Sequence, residues 1–166
     1  MNATTLHNAA QRSRTVDLLG LILALAVTFG VAAFGAQFEP GPWYQQIAKP
    51  SWTPPGWIFP PVWSYLYLTM AVAAWLVWRS GTWAETKTPL LLYGGQLLLN
   101  GLWSWLFFGS RMIGAALIDI LALLILIILT ALFFWRRRKL AGAFFAPYIL
   151  WVAFASGLNL VIWQMN

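Results

Sequence analysis

The 166-residue sequence contains no cysteine, which excludes disulfides, thiolate metal sites and thiol nucleophiles. It has one histidine, His7, and four acidic residues, Asp17, Glu39, Glu85 and Asp119. So few titratable groups, so widely spaced, supply no acid–base pair, no nucleophile triad and no metal cluster, and no metal is expected. Charge of either sign is scarce, at 8% of residues. The one basic run, Arg136 to Lys139 in "FFWRRRK", closes an apolar stretch. It reads as an interfacial anchor against anionic headgroups, and no nucleic-acid partner is expected.

What fills the chain instead is apolar: 61% of residues are hydrophobic and the mean hydropathy is +0.72. A soluble globule of this length has no interior large enough to hide them, so the chain belongs in a bilayer. A helix crossing about 30 Å of hydrocarbon at 1.5 Å per residue needs about 20 apolar residues. Five runs of that length occur, at 18–37, 58–78, 89–108, 113–135 and 143–163. Short links after the second, third and fourth runs force neighbours to alternate in direction. The expected fold is all-α, an integral membrane bundle of five transmembrane helices forming one domain over 1–166.

Basic residues orient it. Arg12, Arg14, Arg79, Lys87, Arg136, Arg137, Arg138 and Lys139 fall on the side of the N-terminal tail, and only Lys49 and Arg111 fall opposite, 8 against 2 of the 10 in the chain. Basic loops stay in the cytoplasm, so the tail, 1–17, is expected there and the long loop, 38–57, on the far side. The expected location is a bacterial inner membrane, with an outer membrane as the alternative. A cleaved signal peptide is the rival reading of the first run, with Arg12 and Arg14 ahead of it and "AFG" near its end. The run exceeds the usual core of about 7–15 residues, so a retained span is expected.

Polar side chains inside such spans are informative, because each is costly without a partner. Tyr93, Gln96, Asn100 and Trp103 recur at steps of three and four, as do Tyr148, Trp151, Ala155 and Asn159, so each set forms one helical stripe. The second run, entered through Pro60 and Pro61, carries Trp63, Tyr67 and Met70 on one face. Asp119 comes about two turns into the fourth. By helical rise, Trp63, Asp119 and Asn159 lie roughly 6 to 9 Å from the loop-bearing side and Asn100 about 12 Å, all in one leaflet. The opposite half, "LALLILIILTALFF", is aliphatic.

Aromatic rings with a few amides suit a large, planar, mostly apolar ligand. The loop stretch "WYQQIAKPSWTPPGW", stiffened by Pro50, Pro54 and Pro55, suits a lid over its entrance. Other readings stay open. Trp43, Trp52 and Trp57, with Trp75, Trp78, Trp103, Trp105 and Trp135, could form an interfacial aromatic belt. Gln96, Asn100 and Asn159 could bond helix to helix, and Asp119 could anchor its helix start or pair with Arg111.

"WYQQIAKPSWTPPGWIFPPVW", then "GQLLLNGLWSWLFFG", "ALIDIL" and "APYILWVAFASGLN", in that order, resemble the translocator protein family, also called peripheral-type benzodiazepine receptors or tryptophan-rich sensory proteins. The resemblance covers about residues 34–163. It implies a five-helix bundle, often dimeric, with a pocket beneath the long loop that takes porphyrins, notably protoporphyrin IX, or isoquinoline carboxamides. By motif, the implied ligand-binding residues are Tyr44, Trp52, Trp63, Tyr67, Asn100, Trp103, Trp151, Ala155 and Leu158. The animal cholesterol motif places a basic residue shortly after a tyrosine in the last helix. Nothing basic follows Tyr148, so sterol binding is not expected and a bacterial member is.

The resemblance therefore implies a membrane receptor or sensor for tetrapyrroles, the porphyrin being ligand or substrate and no tightly bound cofactor being expected. Some bacterial relatives degrade porphyrins in light, which makes Trp63 and Trp151 the candidate catalytic residues. The alternatives are a transporter of porphyrins or apolar metabolites and a non-binding assembly subunit. The transporter finds no inverted repeat, broken mid-span helix or charged relay in the sequence. The assembly subunit would pair through Gly94 and Gly101.

Overall fold

The computed structural model describes residues 14–38 and 40–166, so the expectations for the tail, with His7 and Arg12, and for Glu39 lie outside the described residues. All regular structure among the described residues is helical. In chain order these are α1 (Arg14–Gly35), a short α2 in the loop (Pro42–Gln46) and α3 (Phe59–Trp78), entered through a 3₁₀ turn at Gly56–Ile58. Then come α4 (Trp83–Ser104), a π-helical turn (Trp105–Gly109), α5 (Ile113–Arg137), a short α6 (Lys139–Ala143) and α7 (Ala146–Met165).

By length and composition, four segments can cross a membrane: α1, Gly56–Trp78, α5 and Lys139–Met165. α4, with 22 residues, matches α1 in length but is not among the four. Its first turn reads Trp-Ala-Glu-Thr, Lys87 follows, and its core face buries Thr86, Gln96 and Asn100. The third run also begins earlier than Pro89, where the sequence placed it. Glu85 caps the new start: its carboxylate accepts the Thr82 N–H at 2.8 Å and the Thr82 hydroxyl at 3.1 Å, which satisfies donors that a helix start leaves open. Pro89 then falls inside the helix. Its missing N–H leaves the Glu85 carbonyl without the usual partner four residues on, and the Arg137 guanidinium donates to that carbonyl instead.

α1 packs on α3 and α4, α4 packs on α5, and α5 on α7. α1 is peripheral, burying only Thr28. That residue fastens it: the Thr28 hydroxyl donates to the Ala24 carbonyl at 2.6 Å and lies 2.5 Å from the Tyr93 hydroxyl on α4. Toward the basic end the core is tight and apolar. Phe134 and Phe145 meet edge to face at 5.2 Å, Tyr93 joins both, and Val77, Ile127 and Ala141 are fully buried around them. Gly142 makes this closure possible, since a Cβ there would lie 2.6 to 2.8 Å from Trp135, its backbone included. At the other end, Arg111 takes a left-handed φ of 57° between the π turn and α5.

Candidate functional site

Toward the loop-bearing end the packing changes character. The Tyr67 hydroxyl on α3 donates to Asn100 Oδ1 on α4 at 2.5 Å, and Asn100 Nδ2 donates to the Tyr148 hydroxyl on α7 at 2.9 Å. The Tyr148 hydroxyl donates to Gln96 Oε1 at 3.1 Å, and Gln96 Nε2 ends the chain on the Met70 sulfur at 3.8 Å. The two stripes and the face of α3 read from the sequence thus meet in one relay, and all five side chains are buried. Every donor in it has an acceptor, as a low-dielectric interior demands. Of the two open readings for Gln96, Asn100 and Asn159, the structure shows helix-to-helix bonding.

Aromatic rings surround this relay in three groups. Trp63 lies 5.4 Å from Tyr67 and meets Tyr148 edge-on at 6.2 Å. Trp151 meets Phe59 at 5.7 Å and Phe154 at 5.9 Å, and Phe154 receives Trp52 at 5.7 Å. Under the loop, Trp103 stacks on Phe107 at 5.1 Å, and Trp43 and Tyr44 of α2 close over Phe107 at 6.1 Å. The π turn brings this about: its extra residue per turn rotates Phe107 and Phe108 beneath α2. Trp103 Nε1 also donates to Asn159 Oδ1 at 3.0 Å, and Asn159 Nδ2 donates to the Ile113 carbonyl at 3.1 Å, tying α4, α7 and α5 together.

The nine residues expected to line a pocket therefore distribute unevenly. Trp63, Tyr67 and Asn100 are in direct contact through the relay. Tyr44, Trp103 and Leu158 share the cluster beneath the loop, and Ala155 packs on the main core. Trp52 is 48% exposed on the flank. Trp63 and Trp151, the catalytic candidates, join the same core cluster, but no ring contact between them is found among the described residues. Open space borders the cluster between α3 and α7, where an apolar groove of about 450 Å³ is lined by Tyr65, Trp151 and Phe154 and flanked by Pro61 and Pro147.

The loop is held at its middle, at Ala48 and Lys49. Lys49 caps α2 through the carbonyls of Tyr44, at 2.5 Å, and Ile47, at 3.0 Å, with its ammonium 4.8 Å over the Tyr44 ring. Partial burial raises the pKa of the Tyr44 hydroxyl, keeping it neutral. The Asn166 side chain takes the Ala48 N–H at 3.0 Å, and donates to the Ala48 carbonyl at 3.0 Å and the Ile162 carbonyl at 2.8 Å. Neither Lys49 nor Asn166 stood out in the sequence, because both act through backbone carbonyls that no spacing rule exposes. Phe107 and Phe154 were hidden among 11 phenylalanines.

Asp119 corrects an expectation. It neither starts its helix nor pairs with Arg111, whose guanidinium lies 5.8 Å over the Trp43 ring. It sits on the core face of α5 at 7% exposure, and its Oδ2 has no hydrogen-bond partner. The ion pairs among the described residues are elsewhere, Arg79–Asp17 at 2.9 Å and Arg137–Glu85 at 3.9 Å. Among the described residues no group of His, Cys, Asp and Glu could hold a metal. Gly101 corrects another: its Cβ position meets Val31 and Phe34 of α1, so it serves packing within the chain.

Comparison with known proteins matches this sequence to others. The tryptophan-rich protein TspO of Chlorobaculum tepidum is 42% identical over 155 residues, covering 90% of this chain and 98% of its own. The human translocator protein is 37% identical over 153 residues, covering 91% and 90%. The tryptophan-rich sensory protein of Cereibacter sphaeroides is 34% identical over 142 residues, covering 86% and 88%. The sequence model of the TspO/MBR family matches residues 20–164. With that match reaching from α1 to the last turn of α7, and the helices apolar enough to pass the bilayer several times, the chain is a multi-pass membrane protein and belongs to the TspO/MBR family.

Proposed function

We propose that this protein is a membrane receptor or sensor for porphyrins and similar planar apolar ligands, with five membrane crossings that include α4. α4's polar content supports that count, since it faces Tyr67 and Tyr148 and not lipid. The observation that carries the reading is the Tyr67–Asn100–Tyr148 relay with Trp63 against it: a polar layer walled by rings, beneath a loop pinned by Lys49 and Asn166. A porphyrin macrocycle offers a flat face for Trp63 and Trp151 and ring or propionate groups for the amides and phenols. Stacked so, the two indoles would be electron donors to a photoexcited ring, and light-dependent degradation at this site would need dissolved dioxygen as the oxidant. The basic end is the cytoplasmic end in this reading, the membrane is the inner one, and the working unit is a homodimer.

Titration of the detergent-solubilised protein with protoporphyrin IX, first in darkness and then in light, tests it. The Trp63→Ala, Trp151→Ala double variant is expected to bind at least about tenfold more weakly, since each lost stacking partner is worth about 0.5–1.5 kcal/mol beyond its area. Unchanged affinity in the double variant rejects the site. Bleaching of bound porphyrin under light in the wild type, absent in the double variant, distinguishes turnover from simple binding.

A further inference from the structure

A second groove lies at the basic end, on the surface where α1, α3 and α4 meet. It is apolar, holds about 420 Å³, and runs between Leu19, Leu23 and Val27 of α1, Trp75 of α3, and Leu90 and Gly94 of α4. Two glycines shape it. Gly20 admits the Trp78 ring, which occupies the space a Cβ would take, and Gly94 faces open space. Leu19, Leu23 and Val27 are more than half exposed.

Length and charge say what fits. From Val16 to Val27 the groove spans about 17 Å, close to half of a hydrocarbon core of about 30 Å. It therefore occupies a single leaflet. Its outer continuation is shut, because Val31 and Phe34 close on Gly101 and Gly35 meets Ser104. A groove confined to one leaflet matches the reach of one acyl chain. At the rim, Trp75 donates its indole N–H to the Asp17 carbonyl at 2.9 Å, and the Arg79 guanidinium lies 4.6 Å over the Trp75 ring while bridging Asp17. Lys87 is exposed one turn before Leu90, on the groove-facing side of α4, and has no carboxylate partner among the described residues. Both nearby acids are taken, Asp17 by Arg79 and Glu85 by Arg137.

The geometry points to a binding site for one anionic phospholipid, an acyl chain lying in the groove and the phosphate on Lys87 beside Arg79. This lipid is separate from any ligand of the aromatic cluster. Native mass spectrometry of the full chain, released from nanodiscs of equal phosphatidylglycerol and phosphatidylcholine, measures it. One retained lipid per chain is expected, with phosphatidylglycerol enriched about fivefold, the advantage of one basic side chain at a bilayer surface. Lys87→Gln removes the enrichment but keeps the retained lipid. Gly94→Leu, built into open space, and Leu23→Trp, from the opposite wall, both lower retention of either lipid, with thermal unfolding confirming that the variants fold. Equal retention of the two lipids by the wild type overturns the site, as does full retention in both groove-filling variants. So does conversion of a dimer to monomers by Gly94→Leu with lipid count unchanged, which gives the face to a second copy.

Discussion

The two halves of the bundle are built from different interactions. At the basic end Phe134, Phe145, Ile127 and Val77 pack without polar atoms between them, and Gly142 lets the chain turn back against Trp135. At the loop end the core is a hydrogen-bonded relay of phenols and amides with rings around it. Within a membrane, helices are not driven together by hydrophobic burial, so close packing and interhelical hydrogen bonds do that work. The basic half relies mainly on the first, with the Thr28–Tyr93 hydroxyl pair as its interhelical bond, and the other half on the second. Tight packing has no second use, but amides and phenols that bond each other can also bond a guest, so the proposed recognition falls where cohesion is polar.

The sharpest way to break this contrast is Gly142→Ala. The added Cβ meets backbone that cannot step aside, and overpacking of this kind costs about 1–3 kcal/mol. A lower Tm in detergent is expected, with porphyrin affinity of the folded fraction unchanged; a loss of affinity would mean that the basic half takes part in binding. Next comes Asn100→Leu, which strips Tyr67 of its acceptor and Tyr148 of its donor. Stability falls by about 1–2 kcal/mol for two interhelical bonds, and porphyrin affinity falls with it, unlike the glycine variant. Tyr67→Phe removes one bond, worth about 0.6 kcal/mol on average, and calorimetry of the variant against Asn100→Leu tells whether the relay is cooperative.

The smallest effect is set by pH at the start of α4. Glu85 has its pKa lowered by the Thr82 N–H and hydroxyl bonds and then by Arg137. Its cap therefore contributes above the ordinary carboxyl value of 4.5 and is lost as pH falls through the lowered folded value. The Tm gap between wild type and Glu85→Gln is expected to narrow over that fall, while porphyrin binding by the remaining folded protein does not follow it.

Much of this contrast was legible in the sequence. The spacing of Tyr93, Gln96, Asn100 and Trp103 placed amides on one face, and Tyr148 was in register to meet them, because helical periodicity survives folding. The start of α4 was not legible: Pro89 reads as a helix beginning, and only the capping by Glu85 and the tertiary donor from Arg137 carry the helix past it. The π turn at Trp105–Gly109 was hidden too, since an extra residue per turn leaves no mark on a run as evenly apolar as "WLFFG". Asp119 was misread because proximity in sequence favoured Arg111, whereas the left-handed turn at Arg111 sends the guanidinium toward Trp43.

The clasp between Asn166 and Ala48, with Trp52 resting on Phe154, makes the loop cargo of the last helix. In the proposed receptor, a guest that wedges α7 away from α3 would carry the loop outward in the same stroke, so opening the side and raising the roof would be one motion. Under the proposed function, the dwell time of a bound molecule would then follow how often α7 swings, and Asn166→Ala, which undoes the clasp, would shorten it.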